Sequence, residues 1–395
     1  MDKQIGGSSD RSDKQSLIQT GGSSNSLDKQ SQSQIGGALI AKGDYGCLFK
    51  NPTPTCLETG KPIETEIGKI ITESGDGQQT ERKKTAILKD IPELTNYIIV
   101  PTQACKAAPI QPDADWNKCA VANESSELTI LGMRDGGQTL KQAVDKPAFF
   151  CRNFLSILEH LLEGLLLFHA SGWNHTDIHD NNIMIDAHGT PRYIDFGLAA
   201  NKKNPNGEEL ERFTEFNPRL FFMPPEYHVY SLFIRGRDVP TAIQEIANSQ
   251  QYFLLDSFFH KYNPIKPILN KLANDKTVKA DPVTFYQTHG DKLDVWSLGV
   301  SFYNVFLRCI QWPYSRNIPE FVKATPRIKT ILAMMLEFDP QQRGTVKQIL
   351  ELINPHNRFL RVNRLPVVPA VSPPPPFSNK IRIRRGTLKN PQKRV

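Results

Sequence analysis

His175-Thr176-Asp177-Ile178-His179-Asp180-Asn181-Asn182, followed by Tyr193-Ile194-Asp195-Phe196-Gly197, carries more structural information than any other part of the chain. An Asp and an Asn five residues apart in a tight loop can face one pocket. A second Asp, thirteen residues after Asn182, can approach them from the next strand turn. The intervening residues read as a hairpin, with strand-like Ile183–Ile185 and Arg192–Ile194 around a turn at Gly189. Asp and Asn are common turn residues in any protein. Two such groups bracketing one hairpin exceed what turn chemistry requires. One carboxylate can orient an acceptor hydroxyl, while a carboxylate and an amide oxygen can hold a divalent cation between phosphates.

These motifs resemble the catalytic loop, H-x-D-x-x-x-x-N, and the metal-binding loop, D-F-G, of the protein-kinase family. The resemblance implies ATP and Mg2+ as cofactors, with Asp177 as catalytic base and Asn182 and Asp195 as metal ligands. Ala41-Lys42-Gly43-Asp44-Tyr45-Gly46-Cys47-Leu48 resembles the glycine-rich loop over the ATP phosphates, with Ala41 at the family's first glycine. Lys69, in Glu66-Ile67-Gly68-Lys69-Ile70-Ile71, takes the place of the strand lysine that holds the α/β-phosphates. Ile67 stands where the family has a small residue. Glu81, opening a helix over Gln79–Ile91, is the expected partner of Lys69, and Glu73 is the rival. Leu131, Gly132 and Met133, before Asp135-Gly136-Gly137, take the place of the hinge that bonds the adenine edge.

Three downstream motifs extend the resemblance over about residues 38–360. Met223-Pro224-Pro225-Glu226 resembles A-P-E, and Asp294-Val295-Trp296-Ser297-Leu298-Gly299 resembles D-x-W-S-x-G. Phe338-Asp339-Pro340-Gln341-Gln342-Arg343 resembles D-P-x-x-R. In the family, this Asp accepts backbone N–H groups of the catalytic loop and the Arg pairs with the A-P-E glutamate. The implied fold is α+β and bilobal, with a small β-rich N-lobe at 38–133 and a larger helical C-lobe at 134–360. The implied activity is Ser/Thr protein phosphorylation, with protein substrates as partners. Helices are expected over 150–169, 291–309, 319–323, 326–337 and 345–353.

Departures from the family pattern widen the choice of function. Thr176 replaces the Arg that pairs with a phosphorylated activation loop, which predicts activity without loop phosphorylation. Thr214 is the expected acceptor in that loop. His179 replaces the Lys that stabilises the transferring phosphoryl, so a catalytic role falls to an imidazole. H-x-D-x-H-x-x-N also resembles small-molecule phosphotransferases, which keeps that activity as an alternative, beside a weakly active pseudokinase scaffold. An insert at about 229–290, with Phe253, Leu254, Leu255, Phe258, Phe259 and Tyr262, is helical in pattern. Lys42-Gly43-Asp44-Tyr45-Gly46, Pro52, Pro54, Cys56, Tyr97–Pro101 and Cys105 resemble the divergent kinases of large nucleocytoplasmic DNA viruses.

The ends of the chain read differently from its middle. Residues 1–37 loosely repeat DKQ and IGG units without aromatics, which predicts a disordered leader. Residues 361–395 combine a proline-rich linker with a basic tail. Lys380, Arg382, Arg384, Arg385, Lys389, Lys393 and Arg394 account for the whole formal charge of +7, because setting them aside leaves 41 basic against 41 acidic residues. The tail suits nucleic acid or an acidic partner, and the rest of the chain is electrically neutral. No apolar run is long and uncharged enough for a membrane span, and none opens the chain as a signal peptide. The six cysteines form no CxxC pair, which argues against zinc and for a reducing intracellular compartment, in host cytoplasm, nucleus or virion.

Overall fold

The computed structural model describes residues 38–43, 46–72, 79–111, 115–124, 127–202, 222–248 and 265–361. The expected leader, Asp44, Tyr45, Glu73, Thr214, the apolar run Phe253–Tyr262 of the insert and the basic tail lie outside these residues.

Strands β1 (Ala38–Gly43), β2 (Gly46–Lys50), β3 (Ile67–Thr72), β4 (Gln103–Lys106) and β5 (Leu128–Met133) form an antiparallel sheet in the order β1-β2-β3-β5-β4. Cys47, Phe49, Ile70 and Ile130 leave one face of it and meet Cys119 and Val121 of the short helix α2 (Ala120–Glu124) region in a small core. The sequence does not announce β4. It is short, with polar Gln103 and Lys106 at its ends and mostly exposed, and only pairing of Gln103–Lys106 with Thr129–Gly132 makes it a strand. Helix α1 (Gln79–Leu88) stops three residues before the expected Ile91, because Pro92 disfavours helical backbone at the residue before it.

Two disulfides join this lobe, Cys47 to Cys119 and Cys56 to Cys105. Both lie far apart in sequence, at separations of 72 and 49 residues, so no spacing rule reveals them. Cys151 and Cys309 of the helical lobe remain buried thiols.

The helical lobe opens with β6 (Gln138–Thr139), α3 (Leu140–Ala143) and the long α4 (Pro147–Ala170). Leu158, Leu161, Leu162 and Leu165 of α4 are buried in a continuous core. Short strands β7 (Trp173–Asn174), β8 (Ile183–Ile185), β9 (Pro191–Tyr193) and β10 (Ala200–Asn201) carry the loops between α4 and the later helices. Beyond them come α5 (Pro225–Ile234), α6 (Val239–Ala247), α7 (Ile265–Leu272), α8 (Pro282–Gln311), α9 (Pro319–Met335), α10 (Val346–Ile353) and α11 (Arg358–Arg361). A β-rich N-terminal part and a helical C-terminal part make this a mixed α+β, protein-kinase-like fold.

Two helices differ from expectation. Helix α8 begins nine residues before Asp291, where the Asp281 carboxylate caps it by accepting from the N–H groups of Val283 and Thr284. The two helices expected at 319–323 and 326–337 are one. Pro326 removes a single backbone bond, and burial of Phe321, Ile328, Ile331 and Leu332 on the core outweighs it.

Candidate active site

The site is built from two clusters. In the first, Lys69 Nζ reaches both carboxylate oxygens of Glu81, at 2.8 and 2.9 Å, and Asp195 Oδ1 at 3.5 Å. Period-two alternation in β3 points Lys69 away from the small core, so it faces Asp195 rather than Phe49. Burial would lower the Lys69 pKa, but Glu81 and Asp195 hold it above the ordinary lysine value. For Asp195, burial acts upward, and the charge of Lys69 and the Gly197 N–H more than offset it. Its carboxyl therefore sits below the usual range and is ionised at neutral pH. Glu73 lies outside the described residues, and Glu81 is the partner that Lys69 meets.

The second cluster is the loop that resembles the family's catalytic loop. Asn182 Nδ2 donates to the Asp177 carbonyl at 2.9 Å and to Asp177 Oδ2 at 3.0 Å. That leaves Asn182 Oδ1 as the amide's remaining ligand atom. The two clusters are tied together by backbone: Ile194 N–H donates to the Asn182 carbonyl at 3.0 Å, and Ile183 pairs with Tyr193. His179 Nδ1 accepts from the Asn181 N–H at 3.2 Å, so in the neutral ring the proton sits on Nε2. Nε2 lies 3.8 Å from Asp177 Oδ2, and the ring packs against Phe222 at 5.2 Å between centroids.

Asp294 organises the loop from below. Its Oδ2 accepts from the His175 N–H at 2.9 Å and its Oδ1 from the Thr176 N–H at 2.8 Å. His169 Nε2 and Asn174 Nδ2 also reach Oδ2, at 2.9 and 3.2 Å. Thr176 and Asp195 both adopt left-handed backbone, with φ of 64° and 62°. Such strain in residues with a Cβ persists only where surroundings dictate it, and it collects at functional sites. His175 was not expected as a site residue. Its buried ring bonds the Ile194 carbonyl through Nε2 at 3.1 Å and packs on Phe196 at 5.1 Å. Burial keeps it neutral against the pull of Asp294, Asp177 and Asp195.

The glycine-rich hairpin is partly as expected. Gly43 pairs with Gly46 across the turn, and a Cβ on Gly46 would lie 2.2 Å from the Ile70 carbonyl oxygen, so only glycine fits. Leu48 pairs with Lys69 and shares its face of the sheet. Ala41 and Lys42 are exposed on β1. The Cys47 side chain takes the opposite face, where it is buried in its disulfide, so only its backbone is available to a ligand. Gly132 and Met133 end β5. The Gly132 carbonyl already accepts from the Thr102 N–H at 2.8 Å, and Ile63 and Thr65 leave no room for a side chain there. Lys50 of β2 pairs with Asp135 just past this strand, and the Asp135 N–H donates to Glu66 Oε2 at 2.6 Å.

Far from these clusters, Arg343 meets Glu226 in a bidentate pair at 2.6 and 3.0 Å, with both side chains wholly buried. Arg343 also donates to the carbonyls of Glu337 and Lys292 and lies over Trp296. A cavity of about 480 Å³ borders the catalytic loop, with Lys141, Asp145, Asp180, Asn304 and Arg308 among its walls.

Residues 118–235 match the protein kinase domain family. Mitogen-activated protein kinase spm1 of Schizosaccharomyces pombe is 25% identical over 244 residues, covering 60% of this chain and 51% of that protein. Mitogen-activated protein kinase MPS1 of Pyricularia oryzae is 23% identical over 246 residues, covering 61% and 52%. Serine/threonine-protein kinase pim-2 of Danio rerio is 24% identical over 203 residues, covering 49% and 45%. The chain spans about half the length of the curated relatives it matches. These similarities support a place in the protein kinase superfamily.

Proposed function

We propose that the chain is an ATP-dependent Ser/Thr protein kinase that uses Mg2+. The observation that carries this reading is the convergence of Lys69, Glu81 and Asp195 beside a loop in which Asn182 holds Asp177. Mg2+ commonly keeps one or two side-chain ligands and completes its shell with phosphates and water. Asp195 and Asn182 Oδ1 match that donor set, and the ion, when bound, would neutralise charge on the phosphates. Lys69, kept in line by Glu81, would hold the α/β-phosphates. Asp177 has one carboxylate oxygen bonded to Asn182, leaving the other to orient the acceptor hydroxyl and take its proton. His179 Nε2–H points a hydrogen-bond donor into the same space without a fixed charge.

Several features favour a protein acceptor. The Glu226–Arg343 pair and the Asp294 helix form the helical platform implied by the family resemblance. His179 is the one observation that favours a small-molecule acceptor. The intact Lys69–Glu81–Asp195 contact speaks against a pseudokinase. The viral resemblance rests on the glycine-loop motif and its neighbouring Pro and Cys residues.

The test is transfer of labelled γ-phosphoryl from Mg-ATP to generic proteins, beside Asp177→Ala and Asp195→Ala. Labelling by the parent and its loss in both variants is the expected outcome. Labelling that survives Asp195→Ala would remove the site assignment. Transfer to an aminoglycoside but to no protein would favour the second reading.

A further inference from the structure

The segment after Asp195-Phe196-Gly197 must keep one shape if Asp195 is to face Asn182. In many kinases a phosphorylated loop gripped by arginine orders that segment. Thr176 stands at that arginine position and cannot make a charged grip. Instead its Oγ1–H donates to the Leu198 carbonyl at 2.5 Å. Two residues on, Tyr286 O–H donates to the Ala200 carbonyl at 3.0 Å. Two further on, Gln287 Nε2–H donates to the Lys202 carbonyl at 3.1 Å. Three alternate carbonyls are thus taken along one edge.

The other edge is also held. Ala200 and Asn201 pair with Asn174 and Trp173, and the Lys202 N–H donates to the Gly172 carbonyl at 2.8 Å. The Lys202 ammonium reaches Asp291 Oδ1 and Oδ2 at 2.8 and 3.1 Å. Asp291 Oδ1 accepts in turn from Asn174 Nδ2 at 2.8 Å, and the same Asn174 amide touches Asp294 beneath the catalytic loop. Tyr286 and Gln287 lie in the early turns of α8 that precede Asp291, in the last residues of the stretch read as an insert.

We propose that Tyr286, Gln287 and the Asp291–Lys202 pair form a built-in latch that, with Thr176, positions the segment behind Asp195 and makes transfer independent of phosphorylation in residues 203–221. These are positioning residues, acting through residues 198–202. The proposal rests on the phosphotransfer reading above and gives the end of the insert a role in activation.

The test uses the full chain made in bacteria and treated with phosphatase. Phosphatase-treated parent enzyme is expected to keep its rate. Lys202→Met is expected to lower kcat roughly tenfold, and Tyr286→Phe roughly threefold, at unchanged KM for ATP. Lys202→Arg should restore most of the loss. A second readout needs no activity: amide hydrogen exchange at residues 198–202 should quicken in Tyr286→Phe while α4 stays protected. Tyr286→Phe deletes one oxygen and preserves the ring, so it folds where an Asp291 variant could fail. Loss of activity on phosphatase treatment would overturn the proposal. So would parent-like kcat in both variants, or unchanged exchange at 198–202. Loss of labelling in Asp177→Ala alone, with slower but measurable labelling in the latch variants, separates the latch from the chemistry. Absence of transfer by the parent would sink the functional reading, while the exchange result would still decide the latch.

Discussion

The β-rich lobe closes its core around Phe49, Ile70 and Ile130 with Cys47, Cys56 and Cys119 as members of that core, each in a disulfide. The helical lobe has a continuous apolar core reaching from Leu88 to Phe359, two cysteines left as thiols, and a buried ion pair at Glu226–Arg343. A small core buries little apolar area, and cross-links compensate by restricting the unfolded chain. A large core can enclose polar groups, provided that each is paired. The candidate site takes Lys69 and Glu81 from the first kind of structure and Asp177 and Asn182 from the second. The two halves should therefore fail in different ways.

The largest effect is chemical. Asp177→Asn keeps the shape of the loop and removes the proposed proton acceptor. A fall in kcat of roughly 10²–10⁴-fold is expected. Binding of a fluorescent ATP analogue and the melting temperature should hardly change. A large loss of stability in this variant would break the separation between chemistry and scaffold.

Glu226→Gln comes next. It leaves the Arg343 guanidinium buried without its counter-charge, at a cost of about 3–5 kcal/mol. Urea denaturation should show that loss, and hydrogen exchange should place it around α5 and the start of α8. A change under 1 kcal/mol would mean that the carbonyls of Glu337 and Lys292 suffice for Arg343.

Opening the disulfides tests the other half. Cys47→Ser with Cys119→Ser should cost about 2–4 kcal/mol, because closing a loop across 72 residues restricts the unfolded chain. Exchange should rise in β2 and leave the Glu226–Arg343 region untouched. Affinity for the ATP analogue should weaken, since Gly46 and Leu48 flank Cys47 on the same strand. Equal loosening of both lobes would erase the contrast.

The same contrast explains what was legible in the sequence. Asp177, Asn182, Asp195, Asp294, Glu226 and Arg343 stand out because their roles fix residue type and local spacing. Their contacts then follow: Lys69 meets Glu81, and Arg343 meets Glu226. Strand β4 was invisible because its four mostly exposed residues are strand only by pairing with β5. The disulfides were invisible because their partners are distant in sequence. Tyr286 and Gln287 were missed because side chains bonding carbonyls impose no sequence pattern, and Lys202 because its partner Asp291 lies 89 residues away. Cys47 was placed beside the nucleotide by motif position, although alternation in β2 turns its side chain to the other face.

The smallest effect concerns acid. His228 is buried in α5 of the helical lobe, and burial pulls its pKa from 6.5 down to about 4, against a bond that its ring donates to the Met223 backbone. Below pH 6.5 the unfolded chain takes up a proton that the folded chain refuses. Stability from this group is therefore complete above pH 6.5 and falls as the pH drops towards about 4. At pH 5.5 the loss is about 1.4 kcal/mol, one pH unit below the unfolded value. Half-buried His160 and buried His175 and His289 shift in the same direction, so the slope steepens below pH 6.5. Urea midpoints at pH 7.5, 6.5 and 5.5 should show the fall, and His228→Phe should flatten it. His160, His175, His228 and His289 all belong to the helical lobe, so exchange should report acid loosening there while the cross-linked sheet holds. Acid opening of the sheet first would contradict the assignment of this sensitivity to the large core.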